Sequence, residues 1–336
     1  MDRSEKLFSI LFDVSPTLFT EAGRIRAGTT NCVLLQQFFE EPSIIARELL
    51  SREIGSYDLK KTVRNVENQV KRRIKPTLPY KSLNKAGFEV LPSAMILNRI
   101  SKPYFACEIF FYLCSKDKTK GVIKKLNRIK KIELNTLNAS NLYENPVQED
   151  DLIKSIIKIN RIEGELLGYP ECCISEFVKD KAEGKHHETK IAMECLQIDE
   201  FEVAIDCFLN PDKVKETEFP DFFYSHFTQN FYPCSIYCKD AVKIGKTNEE
   251  YFGRLRKLYG GRIVLNVLYH LATSYVSYKI MIERNLGINT EYRKFISDYF
   301  NGMDSELLSI VDKVKDLLIY STNELGDVYL RKILMG

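Results

Sequence analysis

Two short stretches carry the residues best suited to chemistry: Gly168-Tyr169-Pro170-Glu171-Cys172-Cys173 and Pro233-Cys234-Ser235-Ile236-Tyr237-Cys238. They place four thiols in two tight, proline-led turns, with 60 residues between Cys173 and Cys234. A thiolate ligand must be deprotonated, and the unpaired amides at the start of a helix favour that state. Both stretches read as entries from a loop into a helix, with Cys234 and Cys238 on one face if Ser235 opens the second helix. The four cysteines are therefore candidate ligands of one metal site. Zinc can be held by four cysteines, but its small sites usually show C-x₂₋₄-C at both ends. Adjacent side chains diverge, which argues for an iron–sulfur cluster whose irons, about 2.7 Å apart, could each take one of the two neighbouring thiolates. An iron–sulfur cluster is the leading expectation and zinc the alternative. Redox thiols without metal and plain core cysteines rank below them.

Four residues near these thiols are candidates for contacting a cofactor: Tyr169, Glu171, Ser235 and His226. Outer partners of this kind orient thiolates and tune a metal. Glu171 could also move protons, against the plainer reading of a surface carboxylate. His226 lies in the aromatic run Phe219–Tyr232, where a satisfied core histidine is the plainer reading. That run reads as core wall or as a lining that keeps water from a cluster. Ile244-Gly245-Lys246-Thr247 ends like a phosphate loop but lacks the earlier glycine and a preceding strand, so it is set aside.

Composition bounds the rest. The chain has 336 residues with nine cysteines, four histidines and no tryptophan. An odd cysteine count and paired spacings favour metal or catalysis in a reducing compartment over disulfides. No apolar run approaches the roughly 18 residues of a membrane span. The N-terminus resembles neither a signal nor a transit peptide. A cytoplasmic protein without membrane contact is expected. Residues 1–150 hold 25 basic and 17 acidic residues, a balance of +8, leaving 24 and 29, or −5, for the remainder. The N-terminal half could thus face an anionic ligand.

The positioning elements read as follows. Residues 1–75 are mostly helical, broken at Ser15-Pro16 and Ala27–Thr30, with a helix start at Glu41-Pro42-Ser43 that places Ile44, Ile45, Leu49 and Leu50 on an apolar face. Leu59–Ile74 is strongly basic. A solvated face outweighs a nucleic-acid patch there, because no aromatic residues are interleaved for stacking. Phe88–Leu97 and Tyr104–Leu113 are strands. Lys118–Lys131 is a basic amphipathic helix, and Ile132-Glu133-Leu134 a further short strand. The polar stretch Asn138–Asp151 places a domain boundary near residue 145. Leu152, Ile156, Ile159, Ile162, Leu166 and Leu167 form one helical stripe that ends at Gly168. A second helix holds Cys172 and Cys173 in its first turn. Cys107, Cys114, Cys195 and Cys207 are core residues. Thr247-Asn248-Glu249-Glu250 reads as a capping box. A long helix runs through Val264, Leu271 and Tyr278 to near Gly287, and Thr290 and Asp304 cap two more. The fold class is α+β: a mixed α/β part over residues 1–145 with a basic surface, then a mainly helical domain over 146–336 carrying the four cysteines.

The combined pattern Gly168-Tyr169-Pro170-x-Cys172-Cys173 and Pro233-Cys234-Ser235-x-x-Cys238 resembles the largely archaeal family of domain of unknown function 483, over about Tyr104 to Gly245. Such proteins occur in methanogens, where cysteine-motif proteins help assemble iron cofactors such as that of the iron-only mononuclear hydrogenase. The thiol order also looks like the CCG domains of heterodisulfide reductase, with Ile174 where glycine is expected and C-x₃-C for C-x₂-C. The family has no assigned chemistry to carry over; the thiols themselves make an iron–sulfur protein of redox chemistry or iron-cofactor assembly, meeting a redox partner or a cofactor precursor, the leading expectation. The competing expectation is a zinc-stabilised RNA-binding protein without catalysis.

Overall fold

The structure, a computed structural model, describes residues 3–35, 59–97, 105–138, 149–183, 185, 187–196, 200–255, 258–284, 294, 297–298, 300–302, 305–320 and 322–335. It is α+β, mostly helical with one small antiparallel sheet. The chain divides into two compact units, residues 1–185 and 186–336. The boundary expected near residue 145, the helix start at Glu41–Ser43 with its apolar face, and the caps Thr290 and Asp304 fall outside the described residues.

The first unit opens with helices α1 (Arg3–Val14) and α2 (Pro16–Arg26). The break between them has a clear cause. Ser15 is extended and its hydroxyl accepts the Leu18 N–H at 3.1 Å, while Pro16 occupies the first turn, where a missing N–H costs nothing. Instead of continued helix, the chain then forms strand β1 (Cys32–Leu35). Helix α3 (Leu59–Ile74) buries Val63, Val66, Val70 and Ile74 along one stripe. Thr77 caps helix α4 (Leu78–Lys85), so Pro79 starts a helix as well as ending one. Strands β2 (Phe88–Leu97) and β3 (Phe105–Ser115) pair antiparallel, and β3 takes the centre in the order β1-β3-β2. The register sets Cys32 opposite Cys114, and both are buried.

Helix α5 (Thr119–Asn138) runs straight through Ile132-Glu133-Leu134, where a strand was expected. Leu134 and Leu137 continue the buried stripe of Val122, Leu126 and Ile129, so the helical period wins over three β-prone residues. Helices α6 (Glu149–Leu166) and α7 (Glu171–Ala182) complete the unit.

The second unit is helical: α8 (His187–Leu196), α9 (Phe201–Leu209), α10 (Lys239–Leu255), α11 (Tyr259–Arg284), α12 (Ser305–Tyr320) and α13 (Thr322–Met335). The expected capping box Thr247–Glu250 lies inside α10. Thr247 Oγ1 donates to the Lys243 carbonyl one turn back, at 2.9 Å, and opens no helix. The glycine of the discarded phosphate-loop reading, Gly245, is also helical. It packs so closely on Tyr224 that an added Cβ would fall 2.0 Å from that residue's carbonyl oxygen. Phe219, Phe222, Phe223, Phe227 and Phe231 are buried, forming the aromatic wall between the helices of this unit. Cys195 and Cys207 are buried as expected. No described helix is long and apolar enough to cross a membrane.

Candidate metal centre

The first thiol pair is placed by the end of one helix and the start of the next. Helix α6 stops at Gly168, whose φ of +73° is left-handed, and the Tyr169 N–H returns to the Gly164 carbonyl at 3.0 Å. That is the i→i−5 closure of a Schellman motif, which favours glycine at this position. The lack of a side chain matters twice, because a Cβ on Gly168 would lie 2.9 Å from Thr30 Oγ1. That oxygen sits 2.9 Å from the Leu167 carbonyl and accepts the Cys32 N–H at 3.1 Å, tying the turn to the head of β1.

Pro170 then caps α7, and Cys172 and Cys173 stand in its first turn, where the amides have no intrahelical acceptor. Cys172 is exposed, Cys173 is buried, and their sulfurs are 3.8 Å apart. Adjacent side chains were expected to diverge. At this helix start the two thiols turn toward each other instead.

The second pair is braced by α8. His187 is buried and its Nε2 faces two carbonyls, Pro233 at 3.0 Å and Tyr232 at 3.4 Å. Both partners are acceptors, so Nε2 carries the proton. One side further along the helix, Glu194 accepts the Ile236 N–H at 3.0 Å. The loop closes on itself through the Cys238 N–H and the Ser235 carbonyl at 2.9 Å. Helix α10 begins at Lys239, with the Val242 N–H bonded to the Cys238 carbonyl at 2.9 Å. Ser235–Cys238 is therefore a turn ahead of the helix, and the expected placement of Cys234 and Cys238 on one helical face does not hold.

Cys172, Cys173, Cys234 and Cys238 form a four-cysteine group with all sulfurs within 4.8 Å of one another, a donor set that could hold a metal ion.

The other candidate residues have varied surroundings. Ser235 is part of the cysteine turn, its Oγ accepting the Tyr237 N–H at 3.3 Å. Glu171 is a surface carboxylate, paired with Arg161 at 2.7 Å and accepting from Ser175 Oγ at 3.0 Å. Tyr169 packs against the buried cluster of Cys32, Leu91, Tyr112 and Leu166, and burial pushes its phenol up, so it stays protonated. His226 is fully buried with partners other than the four thiols. Its Nδ1 is 2.7 Å from His270 Nδ1 and its Nε2 is 3.6 Å from Cys195 Sγ. Burial, then the neighbouring His270, holds its pKa well below the usual histidine range. Burial also lowers His270 to about 4 and raises the Cys195 thiol. Both rings are neutral. One shared proton joins the two Nδ1 atoms, and Tyr232 stacks on His270 with ring centroids 4.7 Å apart.

Sequence reasoning missed His187, Glu194 and His270. The first two were within reach: His187 and Glu194, seven residues apart, share one face of the helix with Ile191 and Cys195.

Residues 136–260 match the model of a family described as a protein of unknown function (DUF483), the family that the cysteine motif resembles. The match holds both cysteine turns. No curated protein and no solved structure matches the chain.

Proposed function

We propose that Cys172, Cys173, Cys234 and Cys238 hold one tetrahedral ion, zinc, in a structural and non-catalytic site. The observation that carries this reading is the 3.8 Å between the sulfurs of Cys172 and Cys173. Four thiolates about 2.3 Å from one ion lie about 3.8 Å from each other along every edge of the tetrahedron. Thiolates on separate irons of a four-iron cluster stand farther apart, roughly 6.4 Å, since each bond points outward from the cluster. The spread of the full group, at most 4.8 Å, sits nearer the single-ion value. Four sulfur ligands also fill the coordination sphere and leave no open position for substrate.

Such an ion would cross-link segments separated by 60 residues of chain. By loop-closure entropy alone that is worth on the order of 4 kcal/mol. First-turn amides of α7 would help hold Cys172 and Cys173 as thiolates, while His187 and Glu194 fix the turn that presents Cys234 and Cys238.

Anaerobic purification followed by zinc, iron and acid-labile sulfide analysis tests the reading, with a Cys234→Ser variant beside the wild type. One zinc per chain, no sulfide and loss of the metal in the variant are expected. A brown protein with iron and sulfide in equal amounts would overturn it in favour of redox chemistry or iron-cofactor assembly.

A further inference from the structure

Outside the cysteine turns, the most pronounced feature of the first unit is electrostatic. Six of the sixteen residues of α3 and six of the twenty of α5 are lysine or arginine, and each helix carries a single acid. Both acids are withdrawn from the surface. Glu133 of α5 is fully buried. Glu67 of α3 accepts the Ala94 N–H of β2 at 2.8 Å and pairs with Lys130 of α5. The Glu67–Lys130 pair also makes the two helices neighbours. Their apolar stripes face inward, so their outward faces present bases without an exposed acid among them.

The pattern on those faces is regular. On α5, Lys120, Lys124, Arg128 and Lys131 are exposed at spacings of four, four and three. One helical rise of 1.5 Å per residue separates the fours by about 6 Å. On α3, Lys60, Arg64, Arg72 and Arg73 are exposed, and the exposed residues between them include Asn65, Asn68 and Gln69. Carboxamides donate and accept, as a sugar hydroxyl does. Neither helix contains an aromatic residue.

We propose that the joined faces of α3 and α5 bind the backbone of double-stranded RNA. The charge selects a polyanion. The 6 Å step matches successive phosphates of an A-form strand, roughly 6 Å apart, better than the roughly 7 Å of B-form DNA. The interleaved amides suit 2′-hydroxyls across the shallow groove, through which duplex RNA is read by shape. Lack of aromatic platforms argues against single strands, whose affinity rests on stacking. A membrane surface fits poorly, because a lipid-binding helix needs an apolar edge and Ile123 is the one large apolar side chain exposed on either helix among the described residues. The proposal stands apart from the metal reading, since α3 and nearly all of α5 precede the segment that matches the family.

The test is fluorescence anisotropy with the full chain and four probes: a 20-base-pair RNA duplex, the DNA duplex of the same sequence, single-stranded RNA, and phosphatidylserine vesicles. The variants are Lys124→Glu/Arg128→Glu on α5 and, as a control for net charge, Lys313→Glu/Lys332→Glu in the second unit. Circular dichroism and metal content show whether each variant keeps its fold. The RNA duplex should bind at least tenfold more tightly than the DNA duplex or the single strand. Affinity should fall steeply with salt and drop tenfold or more in the α5 variant while the control stays within twofold. Equal binding of both duplexes, equal loss in the control, or binding of vesicles alone would each overturn the proposal.

Discussion

The imidazole of His187 donates from Nε2 to the Pro233 carbonyl at 3.0 Å, joining the first residue of α8 to the residue that leads into Cys234. A carbonyl so held cannot swing, and the turn behind it keeps its shape. His187→Ala should therefore weaken zinc affinity by 10- to 100-fold, the usual effect of losing an outer partner. The stoichiometry of one ion should not change. Competition against a chromophoric chelator measures it. An unchanged affinity would show that the turn holds its shape without the imidazole.

Thiol reactivity offers a second check. Cys172 is exposed, whereas Cys32, Cys114, Cys195 and Cys207 are buried, with thiol pKa values raised chiefly by that burial. After chelation of the metal, iodoacetamide should modify Cys172 first and leave those four untouched in the folded protein. With metal bound, Cys172 should be protected as well. Peptide mass spectrometry separates the two cases.

Acid should destabilise the second unit through its buried histidine pair. His270 is lowered to about 4 in the folded state from an ordinary value of 6.5. The unfolded chain therefore takes up a proton between pH 6.5 and 4 that the native state refuses. Stability is fully present above pH 6.5 and falls as pH drops to about 4, by about 3 kcal/mol for this ring. His226, depressed in the same direction, adds to the loss. A His270→Gln variant should show a flatter dependence over that window in urea titrations. Matching the control variant Gly253→Ala at each pH removes any generic acid effect.

Two glycines of one helix make a contrasting pair. Gly245→Ala would drive a methyl to 2.0 Å from a backbone oxygen of Tyr224, which cannot yield as a flexible side chain would. A cost of about 2–3 kcal/mol or more is expected. At Gly253 nothing lies within 4 Å of an added Cβ, so alanine there should stabilise by up to about 1 kcal/mol. Chemical denaturation of both variants reads the difference directly.

The sequence made some of this legible and hid the rest for identifiable reasons. Helix α3 and strand β2 carry long, unmixed periods, and their limits at Leu59–Ile74 and Phe88–Leu97 follow from residue pattern alone. Strand β1 is four residues, Cys-Val-Leu-Leu, too short for alternation to show and formed only by pairing with β3. The four thiols were readable from spacing. The 3.8 Å approach of Cys172 to Cys173 was not, because side-chain direction at a helix start depends on rotamer as well as on sequence order. Thr247 carried the right letters for a cap, yet its hydroxyl had a carbonyl one turn behind it. His226 stood beside the cysteine turn in sequence but turned to Cys195 and His270, partners 31 and 44 residues away.

The central place of β3 also sets an order of events on the ribosome. Strand β1 is complete at Leu35, but its register partners begin at Phe111. At about 5–20 residues per second, the chain grows for several seconds before that partner exists. During this interval Cys32, Val33 and Leu35, all destined for the core, have no strand to pair with. Strands β2 and β3 adjoin in sequence and can form a hairpin first. The N-terminal strand must then dock on the free edge of that hairpin, so assembly of the sheet runs backwards relative to synthesis.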